Sequence, residues 1–340
     1  MKGNLVVSAV ALLLAAALTG FTRRAALAHG VLDVPNERSS HAVPTPRGGG
    51  VSIVIASIGA FCSLHAFGAI DFDLFAALAG GGLAVAIVGL MDDRSPLPAG
   101  VRLLVHLAAA VWAVAWLLGF PEPEARGLYL CVAVGARVGA VAAIAWALNL
   151  YNFMDGIDGI AAVEAIFMSW AGALLLLLAG TSGDVAAAAL ALGASCFGFL
   201  LWNWPPARIF MGDVGSGYLG YALGVLMLAC ARRNWSALWM WLMLGGAFFV
   251  DATVTLVRRA VRGERVYQAH RSHAYQWLSR RWRSHRRVTL TVLGLNLFWL
   301  LPCAWFALAN PKLAGWTAVV ALVPLVGAVL VAGAGRPERP

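Results

Sequence analysis

Charge is what this sequence has least of. Only 12% of its 340 residues are charged and only 16 are acidic, whereas 61% are hydrophobic. Mean hydropathy is +0.79. A soluble globular domain carries about 25% charged residues, so that class is excluded. The repeated long apolar runs imply a polytopic membrane protein whose core is a helix bundle in lipid. Cysteine in ligand or disulfide patterns is absent too. Cys62, Cys131, Cys196, Cys230 and Cys303 all fall inside apolar runs with no C-x-x-C or Cys/His spacing, which leaves them as packing residues. No G-x-x-x-x-G-K-[ST] occurs, so nucleotide hydrolysis of the P-loop type has no support. The net charge of +9 is not carried by any soluble basic segment. Anionic lipid or a phosphorylated substrate explains it, and nucleic acid is not an expected partner.

What is present is apolar length. Windows able to cross about 30 Å of hydrocarbon occur at 4–21, 50–67, 73–91, 102–120, 129–149, 160–179, 184–202, 214–231, 236–257, 288–308 and 313–333. The first is read as a retained helix. Ala26-Leu27-Ala28 resembles a cleavage site, but Arg23 and Arg24 follow the apolar stretch where a signal peptide has its positive charge ahead of it. Nineteen Lys and Arg fall in the set made of loops 22–49, 92–102, 150–159, 203–213, 258–287 and the C-terminal tail, against five on the other side. The positive-inside rule makes the first set cytoplasmic. The expectation is an all-α, polytopic transmembrane helix bundle of about eleven spans, one domain over 1–340, with the N-terminus outside and the C-terminus cytoplasmic. The outer loops are short, which leaves little room for an external domain. Trp202, Trp204, Trp235, Trp239 and Trp282 near helix ends read as an aromatic belt, and Gly80–Gly82 and Gly217/Gly220/Gly224 as close helix packing.

Six of the ten aspartates lie in the cytoplasmic loops or at their junctions with helices, so any chemistry faces that side. Asp92 and Asp93 end the third span, and an acid pair at a membrane surface repels itself unless a cation or proton is shared. A helix-ending turn with Arg94 as counter-ion is the plain alternative. In "NLYNFMDGIDGIAA" (149–162), Asp155 and Asp158 are three apart, and if the segment begins a helix they share a face with Asn152. Helix N-caps are the alternative there. "RIFMGDVGSGYLG" (208–220) sets Asp213 among glycines, which suits a hard cation held by one or two carboxylates plus substrate phosphates. Loop one, "DVPNERSSHAVPTPRGGG" (33–50), brings His41, Arg38 and Arg47. The last cytoplasmic loop has ten arginines over 258–287 and includes "HRSHAYQ", with His270 and His273 at i, i+3. A basic stretch lying on anionic lipid accounts for it equally well.

In this order, "PTPRGGG" (44–50), "GLMDDR" (89–94), "NLYNFMDGIDGIAA" (149–162) and "FMGDVGSGYLG" (210–220), followed by a histidine-bearing last loop, resemble the polyprenyl-phosphate N-acetylhexosamine-1-phosphate transferases. That superfamily includes the phospho-MurNAc-pentapeptide translocase. The resemblance spans about residues 30–280. It implies transfer of a sugar 1-phosphate from a UDP-N-acetylhexosamine to polyprenyl (undecaprenyl) phosphate, release of UMP, a Mg²⁺ or Mn²⁺ requirement, and a bacterial inner-membrane enzyme whose site faces the cytoplasm. It places Asp92, Asp93, Asp155 and Asp158 as catalytic. Asp213 and Asp155 would hold the metal. Asn152, Phe210, His41, Arg47, His270, Arg271 and His273 would bind substrate, with Asp158 near the uracil and Phe210 stacking on it. Where the translocase has a run of consecutive histidines this chain has "HRSHAYQ". The resemblance is therefore to the branch that starts O-antigen, lipopolysaccharide or other surface glycans, with GlcNAc or a 6-deoxy relative as sugar. Phospho-MurNAc-pentapeptide transfer is the alternative reaction. A membrane transporter is the rival of another class, although it would place acids near mid-bilayer, whereas the acids that come nearest to lying inside a span, Asp251 and Glu164, are within about two turns of its cytoplasmic end.

Overall fold

A computed structural model describes residues 2–35, 43–121, 127–265 and 270–337. His41 and Arg38, expected near substrate, lie outside the described residues. Almost every ordered segment is helix, because in lipid each backbone N–H and C=O must find its partner within its own segment or in a closed barrel. The helices are α1 (Lys2–Ala28), α2 (Gly50–Ala66), α3 (Phe72–Arg94), α4 (Ala99–Leu118), α5 (Gly127–Met154), α6 (Ile160–Leu178), α7 (Gly183–Asn203), α8 (Asp213–Ala231), α9 (Trp235–Leu244), α10 (Gly246–Val261), α11 (Ala274–Trp282), α12 (His285–Ala309) and α13 (Pro311–Ala332). A two-residue antiparallel pair, β1 (Leu32–Asp33) and β2 (Thr45–Pro46), lies between α1 and α2.

Each of the eleven apolar windows falls on helix, but not all become simple spans. Among the described residues nine helices are long and apolar enough to cross a membrane. The second window is a shorter helix of 17 residues. The ninth is the pair α9 and α10, bent by 75° at Gly245. Gly245 has φ −90° and ψ 9°, out of helical geometry, and the turn there redirects the chain. Hydropathy averages over such a break, which is why the window reads as one span.

The bundle has a centre and a lipid-facing rim. In α8, 89% of the apolar window is buried, against 11% in α5. The exposed faces of α1, α5 and α13 carry Leu13, Val132 and Val323 among many other large apolar side chains, as lipid contact requires. Although α1 is on the rim, it is packed firmly. The Trp202 indole N–H donates to the Ala16 carbonyl at 2.9 Å, and the Thr19 and Ser52 hydroxyls meet at 2.6 Å. A Cβ at Gly198 would come 2.3 Å from the Leu12 carbonyl oxygen. The glycine runs are packing surfaces, as expected. A Cβ at Gly81 would strike the Tyr221 hydroxyl, and one at Gly220 would lie 2.6 Å from the Ala147 carbonyl oxygen.

Candidate active site

The four sequence motifs meet at the N-terminal end of α8, and glycine lets them do so. The Phe210 N–H donates to the Pro46 carbonyl at 2.8 Å, and the N–H groups of Gly49 and Gly50 donate to the carbonyls of Phe210 and Met211 at 2.9 and 2.8 Å. The first and last motifs are thus joined by a short extended ladder. A Cβ on Gly50 would sit 2.4 Å from the Gly215 Cα, and one on Gly89 would sit 2.6 Å from the Asp213 carbonyl oxygen. Gly212 has φ +79°, and a Cβ there would be 2.5 Å from Asp93 Oδ2. These glycines permit backbone contact between motifs.

That contact sets the charges. Both Asp93 oxygens accept backbone N–H groups at the start of α8, from Asp213 at 2.9 Å and Val214 at 3.1 Å. A carboxylate there meets unpaired helix donors and the positive end of the dipole. The Arg47 guanidinium lies 2.9 Å from Asp93 and 2.9 Å from Asp213. Burial works against its charge, yet the neighbouring Asp93 and Asp213 hold its pKa above the ordinary arginine value. Asp92 accepts the Leu97 N–H at 2.6 Å and pairs with Arg102 at 2.6 Å. Arg102 also reaches to 3.6 Å from Asp213, and the Asp92 and Asp213 carboxyls are within hydrogen-bonding reach of each other. Arg94, the expected counter-ion of the acid pair, is replaced in that role by Arg47 and Arg102.

Asn152, Asp155 and Asp158 do not share one helix face. Asn152 lies in the last turn of α5, where it accepts the Ser216 hydroxyl at 2.7 Å. The two aspartates lie in the turn before α6, where Gly159 has φ +76° and interrupts the helix. Asp155 consequently opens with Asn152 into one cavity and Asp158 into another. Burial, with Asp213 beside it, pushes the Asp155 carboxyl up to about 7. Asp158 accepts the Ala207 N–H at 3.1 Å and lies 3.2 Å from His285 Nδ1.

The first cavity, about 700 Å³, holds Asp155, Asp213, Arg102, Asn152, His270, His273 and Gln276, and its apolar wall of Leu103, Ala142, Trp146 and Leu256 comes from α4, α5 and α10. The second, about 630 Å³, holds Asp158, Phe210, His285, Arg280, Arg283 and Arg286. Asp92, Asp93, Arg47 and Arg271 line neither. His270 and His273 stack at 4.9 Å. Burial, with His273 adjacent, pushes the His270 imidazole down to about 3, so it is neutral at physiological pH. The segment following His273 is helix α11 with Ala274, Tyr275 and Gln276 buried, not a stretch laid on lipid. The Tyr275 hydroxyl donates to the Phe153 carbonyl at 3.0 Å. Sequence reasoning missed Arg102 and His285, which line the first and second cavities. Arg102 stands in the first turn after the acid-pair loop, a basic residue at a helix start, and that placement was its only signal.

Residues 75–231 match the family model described as glycosyl transferase family 4. Over 92% of this chain and 84% of its own length, the decaprenyl-phosphate N-acetylglucosaminephosphotransferase of Mycolicibacterium smegmatis is 30% identical. The chain belongs to glycosyl transferase family 4. A second relative, named as a probable undecaprenyl-phosphate N-acetylglucosaminyl 1-phosphate transferase of Bacillus subtilis, is 29% identical over 83% of this chain and 79% of its own. The phospho-N-acetylmuramoyl-pentapeptide-transferase of Moorella thermoacetica is 35% identical, over 42% of this chain and 49% of its own. This family member is a multi-pass membrane phosphotransferase, and the matched segment carries the acid pair, the Asp155/Asp158 turn and the start of α8.

Proposed function

We propose that the chain transfers an N-acetylhexosamine 1-phosphate, GlcNAc or a 6-deoxy relative, from a UDP-sugar to polyprenyl phosphate, with UMP as leaving group. The reaction opens the synthesis of O-antigen or another surface glycan at the cytoplasmic face of the bacterial inner membrane. The observation that carries this reading is the pair of cavities flanking residues 155–159. One joins Asp213 and Arg102 to an apolar wall on spanning helices, where a lipid phosphate and its chain fit. The other puts Phe210, Asp158 and three arginines together, where a nucleotide base and its phosphates fit. The two relatives aligned over 83% and 92% of the chain are named for N-acetylglucosamine, which favours that sugar over the pentapeptide-bearing one.

An oxygen-only donor set suits Mg²⁺ or Mn²⁺. Among the described residues no three His, Cys, Asp or Glu side chains form a ready metal cage. Asp213 with Asp92 or Asp155 would hold the ion, the remaining ligands coming from substrate phosphates, as is usual for Mg²⁺. When bound, it neutralises charge on the transferring phosphoryl group. In the reaction an acceptor phosphate oxygen forms a bond to the sugar-bearing phosphorus, and the anhydride bond to UMP breaks. Arg102 orients the acceptor phosphate and Arg47 fixes Asp213. Asp92 acts by position: its oxygens are already engaged by Leu97 N–H and Arg102, and an acceptor phosphate with a second pKa near 6 needs no base at pH 7. Purified protein given UDP-GlcNAc, undecaprenyl phosphate and Mg²⁺ is expected to release UMP. Release with UDP-MurNAc-pentapeptide instead would transfer the assignment to the alternative reaction.

A further inference from the structure

Asp251 is a buried carboxylate that, among the described residues, belongs neither to the acid cluster nor to any arginine pair. It lies in α10 at 3% exposure. Its Oδ1 accepts the Ala274 N–H at 2.8 Å and the Thr255 hydroxyl at 3.1 Å, and its Oδ2 accepts the Tyr275 N–H at 3.0 Å. His273 Nδ1 lies 3.5 Å from Oδ1. The two N–H groups open helix α11, so the carboxylate meets unpaired donors and the positive end of that helix. A charge buried this deeply is costly unless its hydrogen bonds are complete, and here both oxygens are engaged.

The element so held is the histidine segment. His273 and Gln276 both line the first cavity, and the Gln276 side-chain oxygen accepts the His273 N–H at 3.3 Å. From the far side, the Gly335 N–H donates to the Ser272 carbonyl at 2.7 Å. Tyr275 seats the segment on Phe153 and Gly156, where a Cβ would strike its hydroxyl. The segment therefore abuts Asp155 and the divide between the two cavities. Arg102, which faces the acid pair, comes from α4 instead.

We propose that Asp251 is a positioning residue for the sugar-phosphate end of the donor, which must enter the first cavity to meet the acceptor phosphate there: by clamping the backbone of 274–275 immediately after His273, it sets the register in which His273 and Gln276 face that end. The proposal rests on the transfer reaction above. Its test uses the full chain, with UDP-GlcNAc and undecaprenyl phosphate varied separately and UMP release measured. Asp251→Asn keeps one acceptor oxygen and Asp251→Ala none. Donor kcat/KM is expected to fall about tenfold in the first and up to about 100-fold in the second, the scale of a misplacement near 1 Å, while the acceptor KM stays within about twofold. In a cycle with His273→Ala, the combined loss is expected to be smaller than the product of the single losses. If Asp251→Ala does not fold, Asp251→Asn and its cycle decide alone. Donor kinetics unmoved in Asp251→Asn, equal rises in both KM values, or multiplicative losses in the cycle overturn the positioning role. A wild-type chain that releases no UMP overturns the reaction and this proposal with it, and is distinguished by failing before any variant is compared.

Discussion

The two ends of α8 carry the same kinds of side chain and use them differently. At its C-terminal end, Arg233 pairs with Asp184 at 2.5 Å and reaches 3.4 Å from Asp71, while Arg232 lies 3.5 Å from Asp71 and donates to the Leu117 carbonyl at 2.9 Å. Two acids meet two arginines, and the set ties the ends of α3, α4, α7 and α8 together. At the N-terminal end, among the described residues, Asp92, Asp93, Asp155 and Asp213 face two arginines, Arg47 and Arg102. Opposite charges close a structural cluster; a surplus of carboxylates leaves one open to a cation. The comparison separates ion pairs that hold helices from acids held ready for a ligand.

The strongest way to break this comparison is to remove one carboxylate from each end. Asp213→Asn is expected to lower kcat by at least about 10²-fold, since it removes charge and a ligand where the reacting phosphoryl group is stabilised. Asp184→Asn is expected to leave kcat within about twofold and to lower stability by about 0–1 kcal/mol, the range of pairs near a surface. UMP release and thermal unfolding of the two variants measure both. Comparable losses of turnover would show that the far cluster supports the site as much as the near one.

The arginines give the next contrast. Arg102→Ala is expected to raise the acceptor KM by about tenfold, because it removes a charge-assisted contact to phosphate. Arg233→Ala is expected to leave that KM unchanged. Separate titrations of undecaprenyl phosphate check this, and an unmoved acceptor KM in Arg102→Ala would confine that arginine to holding Asp92.

Much of this contrast is legible in the sequence. Eleven apolar windows locate the helices because each is long, and the acids mark one end because polar residues are scarce enough for their clustering to stand out. The partners of those acids are not legible. Arg94 is adjacent to Asp93, yet Arg47 and Arg102 do the pairing, since both arrive through helix packing made possible by Gly50, Gly89 and Gly212. Asp155 and Asp158 read as one face, but the left-handed Gly159 sends them into different cavities. Asp251 reads as a span residue near the cytoplasmic end and proves to be the anchor of a segment more than twenty residues on.

Asp155 sharpens the comparison through pH. Its carboxyl, pushed up to about 7 from an ordinary 3.8, retains a proton in the folded chain between those values where the unfolded chain has lost it. Folding is therefore favoured at the acid side of that window and its contribution falls as pH rises toward 7. Ligand binding runs the other way, because a cation must displace the proton. Apparent Mn²⁺ affinity is expected to rise about tenfold per unit approaching pH 7 and to level off above it, with Asp155→Asn flattening the curve. Calorimetry at several pH values measures it, and a flat wild-type curve would remove Asp155 from the cation's surroundings.

The smallest expected effect tests whether nearness to the site or freedom from protein partners marks a functional group. Tyr275 lines the first cavity, and its place in "HRSHAYQ" makes it a candidate for choosing between GlcNAc and 6-deoxy sugars. Its hydroxyl, however, donates to the Phe153 carbonyl at 3.0 Å, and its ring is buried over Gly156. In that respect it resembles the paired groups at the far end of α8. Tyr275→Phe removes one buried hydrogen bond and keeps the ring, so a stability loss of about 1 kcal/mol is expected. The ratio of kcat/KM between UDP-GlcNAc and its 6-deoxy analogue is expected to stay as in the wild type. A changed ratio would mean that the phenol contacts the sugar directly, and commitment to a protein partner would then no longer separate structural from functional groups at this end of the bundle.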